Sequence, residues 1–172
     1  MTIILVTGGA RSGKSTIAEA RCLTFAPKAA YIATAVGYGP DGGFDDEMTA
    51  RIAAHRVRRG DEWTTFAAPL DLVGALDQTQ GQPRLIDCLT LWLTNLMLGG
   101  HDIPAATEAL ITTLNRATDP TVLVTNEVGM GIVPENALAR AFRDAQGILN
   151  QRIAAIADEV IFAVAGLPMK VK

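Results

Sequence analysis

Residues Gly8, Gly9, Ala10, Arg11, Ser12, Gly13, Lys14 and Ser15 fit the spacing G-x-x-x-x-G-K-[ST], which suits the phosphates of a nucleoside triphosphate. Glycines let a backbone pass close to phosphate oxygens. Lys14 would bring a point charge toward the β- and γ-phosphates, and the Ser15 hydroxyl is a natural Mg²⁺ ligand. His55 is a second chemical candidate. With Met48 and Ile52 it stands at i, i+4 and i+7 on one helical face, flanked by Arg51 and Arg58. A neutral imidazole beside cations at a phosphate site can attack phosphorus. A lone histidine on an apolar stripe is, however, more often a packed core residue. Asp87 ends the short apolar run Leu85-Ile86 and fits two roles equally: the acid that orients Mg²⁺ or its water, and the N-cap of a helix running through Leu98. Glu127 is a further acid, in a stretch (126–136) whose two glycines and proline before a helix describe a tight functional loop. Arg140, Arg143 and Arg152 can reach phosphates or solvate the outer face of their helix, the second being the commoner use.

Strand patterns recur at 2–7, 29–34, 63–66, 85–87, 121–125 and 159–164, mostly as continuous apolar runs with helical patterns between them. That alternation predicts an α/β fold with a mostly parallel sheet covered by helices on both faces. The phosphate loop then falls at a strand-to-helix junction, where backbone N–H groups and the positive helix end face an anion. Helices are expected over 14–25, stopped by Pro27, over 45–59, through Leu98, over 105–116 and over 135–157, with 169–172 as an edge strand. Residues 36–44, with four glycines, a proline and Asp41, form a polar loop at the ligand-binding edge. His101 lies in a turn region, 99–104, and takes a loop role.

The 172 residues carry no internal repeat or linker, so 1–172 reads as a single domain. Hydrophobic residues at 49% and charged ones at 19% place it among compact globular chains. A net charge of −3 provides no electrostatic footprint for nucleic acid. Cys22 and Cys88 stand far apart, which offers neither a zinc site nor a disulfide framework and suits a reducing compartment. No apolar run reaches membrane length, so a cytoplasmic protein without a membrane span is expected.

Beyond these local signals, the chain resembles the bifunctional adenosylcobinamide kinase / adenosylcobinamide-phosphate guanylyltransferase family of cobalamin biosynthesis. The resemblance spans nearly the whole length. It rests on VTGGARSGKS, YIAT at 31–34, DDEM…RI..H at 45–55, Trp63, DCLTLWLTNL from Asp87, TNEVGMGIVPEN from Thr125 and the closing NQRIA…ADEV…AG.P.K.K. It implies a P-loop NTPase of RecA-like fold. It also implies phosphorylation of adenosylcobinamide by ATP or GTP, followed by transfer of GMP from GTP through a guanylyl-histidine to adenosylcobinamide phosphate, giving adenosylcobinamide-GDP. His55 matches the family's nucleophile, with Lys14 as the main electrostatic catalyst. Gly8 to Ser15, Ala33, Thr34, Ala35, Arg56, Val57, Arg58, Arg59 and Asp87 match nucleotide-contacting positions, and Ser15 and Asp87 the Mg²⁺ side. Relatives are propeller-shaped trimers, which implies a homotrimer. Ala67 stands where relatives commonly carry a Glu, and Arg56 where some carry Lys. The rivals are a P-loop kinase of another small molecule without nucleotidyl transfer, and a nucleotide-dependent switch. The chain has no N-K-x-D segment of the kind a G-protein-like switch uses to read guanine.

Overall fold

A computed structural model of the chain describes residues 2–36 and 60–172. Among the described residues, seven strands form one sheet in the order β3-β2-β4-β5-β1-β6-β7. The strands are β1 (Ile3–Gly8), β2 (Ala29–Ala33), β3 (Trp63–Ala67), β4 (Arg84–Asp87), β5 (Thr121–Val124), β6 (Glu159–Val164) and β7 (Leu167–Lys170). The first six are parallel to their neighbours, and β7 runs antiparallel to β6 at the edge. All six strand signals are thus strands, within a residue or so at each end. The final edge strand starts two residues earlier than the expected 169, because it pairs back on β6 through a two-residue turn.

Alternation along the buried strands sorts side chains onto two faces. Ile3, Leu5, Ile32, Ile86, Leu123 and Val160 enter one core with α2 (Leu72–Gln78), α3 (Leu89–Leu98), α4 (Ile103–Arg116) and α5 (Ala137–Ile156). Ile4, Val6, Tyr31, Leu85, Val122, Val124 and Ile161 enter the other, beneath α1 (Lys14–Cys22). The helices therefore cover both faces, as a parallel sheet requires.

Helix ends depart from expectation for local reasons. Past Cys22 the chain tightens into i→i+3 bonds, Thr24 N to Arg21 O at 3.3 Å and Phe25 N to Cys22 O at 3.1 Å, so α1 stops before Phe25. Helix α5 starts at Ala137 because Asn136 caps it, its side chain accepting from Leu138 N and Ala139 N. Helix α2 is absent from the sequence pattern; Asp71 caps it by accepting from Gly74 N at 2.8 Å. The expected helix over 45–59 lies outside the described residues. No helix among the described residues is long and apolar enough to cross a membrane.

Candidate active site

The phosphate loop leaves β1 at Gly8 and enters α1 at Lys14, the strand-to-helix junction its spacing predicts. Two of its glycines are required by space. A Cβ on Gly8 would lie 2.7 Å from both Ala163 O and Ser12 Oγ. A Cβ on Gly13, whose φ of 90° is left-handed, would lie 2.9 Å from Gly166 Cα. Arg11 also adopts a left-handed φ, 55°, an uncommon conformation for a side-chain-bearing residue and one that clusters at ligand sites. Behind the loop, Ala165 and Gly166 turn the chain from β6 to β7 with φ of 51° and 82°, the pattern of a two-residue I′ hairpin. Gly166 N donates to Ser12 O at 2.9 Å, so this hairpin buttresses the loop. Lys14 Nζ donates to Gly9 O at 3.0 Å, which holds the ammonium over the loop. Ser12 Oγ is buried with no hydrogen-bond partner among the described residues, an orphaned polar atom inside the cradle.

Of the two roles expected of Asp87, the structure bears on the helix cap. Helix α3 starts at Leu89 with Cys88 at its N-cap, so Asp87 is not the helix cap. Its register is Ala33↔Asp87↔Val124, and Val124 in turn pairs with Val6 of β1. Asp87 thus stands two strands from the phosphate-loop strand, about 10 Å across the sheet. Alternation turns it, like Leu85, to the α1 face. Its Oδ2 accepts from Tyr31 Oη at 2.5 Å. The peptide bond to Cys88 is cis. Burial, with the Asp87 charge adding to it, pushes the Cys88 thiol up to about 12 against smaller opposing pulls from the Leu91 and Thr90 backbone and from Lys14. Cys88 is therefore a neutral thiol.

The two oxygen donors, Ser15 hydroxyl and Asp87 carboxylate, fit a hard cation. Among the described residues no group of three or more His, Cys, Asp or Glu could hold a metal by itself. Mg²⁺ does not need such a cage, since it binds through one or two protein oxygens, phosphates and water.

Ala33, Thr34 and Ala35 reach the same edge from β2. The Thr34 hydroxyl is spent internally: it donates to Cys88 O and accepts from Cys88 N, each at 2.8 Å. Ala33 and Ala35 on either side of it are half-buried at this edge. Ala67, exposed at the end of β3, pairs with Ala33. His55, Arg56, Val57, Arg58 and Arg59 lie outside the described residues.

At the end of β5, Glu127 N donates to Gly8 O at 3.1 Å, which ties the 126–136 loop to the phosphate loop. The Glu127 carboxylate accepts from Gly129 N at 2.5 Å within its own turn. Arg143 and Arg140 do not simply solvate α5. Arg143 donates to Gly129 O at 2.5 Å, and Arg140 donates to Pro134 O and Glu135 O, so both fasten this loop. Arg152 pairs with Glu108 on α4. His101 is exposed in its turn.

Several supports were not legible as site residues. Gln146 donates to Thr125 Oγ1 and Asn150 Oδ1, and Asn150 donates to Asn126 O. Asn126 N donates to Thr90 Oγ1 at 2.8 Å, and Asn95 donates to Thr34 O and Pro69 O. The available signal was a polar pair at i, i+4 on the inward face of α5.

The family model described as cobinamide kinase / cobinamide phosphate guanyltransferase matches residues 4–171. The bifunctional adenosylcobalamin biosynthesis protein CobU of Salmonella typhimurium is 46% identical, the alignment covering 99% of both chains. CobP of Pseudomonas aeruginosa is 44% identical over 98% of this chain and 96% of its own. Among solved structures, the P4 protein of bacteriophage phi6 superposes over 97% of this chain with a TM-score of 0.51 and 14% identity. A type III secretion system ATPase does so over 98% with a TM-score of 0.55 and 14% identity. The chain spans about half of each of these two, 52% and 56%, and at such identity they establish the fold alone, a mostly parallel sheet covered by helices.

Proposed function

The chain belongs to the cobinamide kinase / cobinamide phosphate guanyltransferase family, and from that premise we propose how its residues divide the work. The protein is a bifunctional enzyme of cobalamin biosynthesis that uses nucleotide substrates. In the kinase reaction, the hydroxyl of the aminopropanol arm of adenosylcobinamide attacks the γ-phosphorus of ATP or GTP, and the nucleoside diphosphate leaves. The loop from Gly8 to Ser15 binds the phosphates, and Lys14 offsets charge on the transferring group. Ser15 and Asp87 would hold Mg²⁺, which when bound neutralises phosphate charge. In the guanylyltransferase reaction, a neutral His55 attacks the α-phosphorus of GTP and pyrophosphate leaves. The phosphate oxygen of adenosylcobinamide phosphate then takes the GMP and frees the imidazole. Ala33 and Ala35, with Arg56, Val57, Arg58 and Arg59, contact the guanine nucleotide, while the buried Thr34, matched to the same contact by resemblance, is tied up behind them by Cys88, Asp87 and Asn95.

One observation carries this assignment: the phosphate loop, Asp87 and the 33–35 segment converge on one edge of the sheet, with Asp87 on the face that α1 covers. The resemblance to trimeric relatives extends the proposal to a homotrimer. Leu98, Met130, Ile132, Val133 and Leu138 supply an exposed apolar surface around a groove of about 460 Å³ between α3, the 126–136 loop and α5.

Mass spectrometry after incubation with GTP and Mg²⁺, kept alkaline because a phosphoramidate is acid-labile, tests the histidine step. A GMP adduct that maps to His55 and is missing from His55→Ala is the expected result. A folded, GTP-binding wild type without adduct would leave a kinase that performs no nucleotidyl transfer.

A further inference from the structure

Tyr31 is 3% exposed and sits in the core beneath α1, yet it carries a polar tip. Its ring meets Trp63 of β3 edge-on, with centroids 5.6 Å apart and planes at 89°. The register explains where the hydroxyl goes. Tyr31 pairs with Leu85 and Ala33 with Asp87, so Tyr31 and Asp87 are diagonal neighbours on the same face of adjacent strands, within reach of a long side chain. Tyr31 Oη donates to Asp87 Oδ2 at 2.5 Å, a charge-assisted bond from a donor that packing has already oriented. The Asp87 backbone is fixed independently, since Thr34 N donates to Asp87 O at 3.1 Å and the Thr34 hydroxyl bonds both polar groups of the next residue's backbone.

We propose that Tyr31 is a positioning residue for the enzyme's metal-binding acid: its hydroxyl claims Asp87 Oδ2, selects one carboxylate rotamer and leaves Oδ1 for the cation or its water. The proposal rests on Asp87 serving the metal, as assigned above. A carboxylate free to rotate loses affinity for a cation even when its backbone is correctly placed, which is why partners behind metal ligands matter about as much as 10–100-fold in affinity. Trp63 extends the support one strand further by fixing the ring that carries the hydroxyl.

Tyr31→Phe removes the hydroxyl and keeps the ring against Trp63. The measurement is binding of Mn²⁺, in place of Mg²⁺, to the intact protein with a non-hydrolysable GTP analogue, followed by the electron paramagnetic resonance signal of free Mn²⁺. Tyr31→Phe is expected to weaken Mn²⁺ binding about tenfold. Asp87→Asn should weaken it at least as much, and the double variant no more than Asp87→Asn alone. Analogue affinity in EDTA should match wild type in Tyr31→Phe, which a general disturbance of the site would not preserve alongside the metal defect. Wild-type Mn²⁺ affinity in Tyr31→Phe, with affinity lost in Asp87→Asn, would overturn the role of Tyr31. Additive losses in the double variant would do the same, since Tyr31 would then act elsewhere. Wild-type affinity in Asp87→Asn would instead overturn the metal assignment of Asp87, and the inference with it.

Discussion

Cys22, the last residue of α1, has no exposed surface, and burial pushes its thiol from the usual 9.0 up to about 12. The sign of the consequence follows from which state holds the proton. Below pH 9 both folded and unfolded chains keep it, and the contribution is complete. Between 9 and 12 the unfolded chain releases it first, so stability falls with rising pH by about 1.4 kcal/mol per unit for such a group. Urea midpoints at pH 8 and pH 10.5 should therefore drop less in Cys22→Ala than in wild type; equal drops would show that the thiol is not shielded. At this scale the phosphate loop was legible because its residues are contiguous and the demand for glycine is local. The pairing of Tyr31 with Asp87 was not, since 56 residues separate them and only strand register brings them together. The two roles left open for Asp87 differ by a single residue in where α3 begins, which residue type alone does not decide.

Elements were legible wherever the apolar pattern was long or continuous, as in β1, β5 and β6, whose buried runs leave no alternative. Helix α2 was missed because seven residues with Gly74 inside carry too little periodicity, and its stability comes from packing Leu72, Ala75 and Leu76 into the core. Helix α5 shows the opposite balance. It is 20 residues long and starts where Asn136 accepts from two amides, at 2.8 and 3.2 Å. Asn136→Ala should cost about 1 kcal/mol and lower the thermal midpoint by about 2–4 °C. An unchanged midpoint in calorimetry would mean that Arg140 and Arg143, which fasten the preceding loop, hold the helix start without the cap.

For the whole molecule, the proposed homotrimer would bury the apolar surface at the 126–136 loop, where Ile132 is 97% exposed and Met130 and Val133 are exposed near it. Sedimentation equilibrium should find wild type at about three times the 18.2 kDa chain mass, and Ile132→Asp should shift it toward the single chain. A wild type that sediments as one chain would remove the trimer. The sequence by itself determined the alternation of strands and helices, the phosphate loop at its junction and, through resemblance along the full length, the family. These depend on local spacing, burial periodicity and ordered motifs, all readable along one chain. Only the tertiary structure decided that β5 separates Asp87 from the phosphate-loop strand, that the β6–β7 turn braces Ser12 and that Tyr31 holds Asp87. Strand order, register and face are set by how distant apolar surfaces pack together, and no local spacing encodes them.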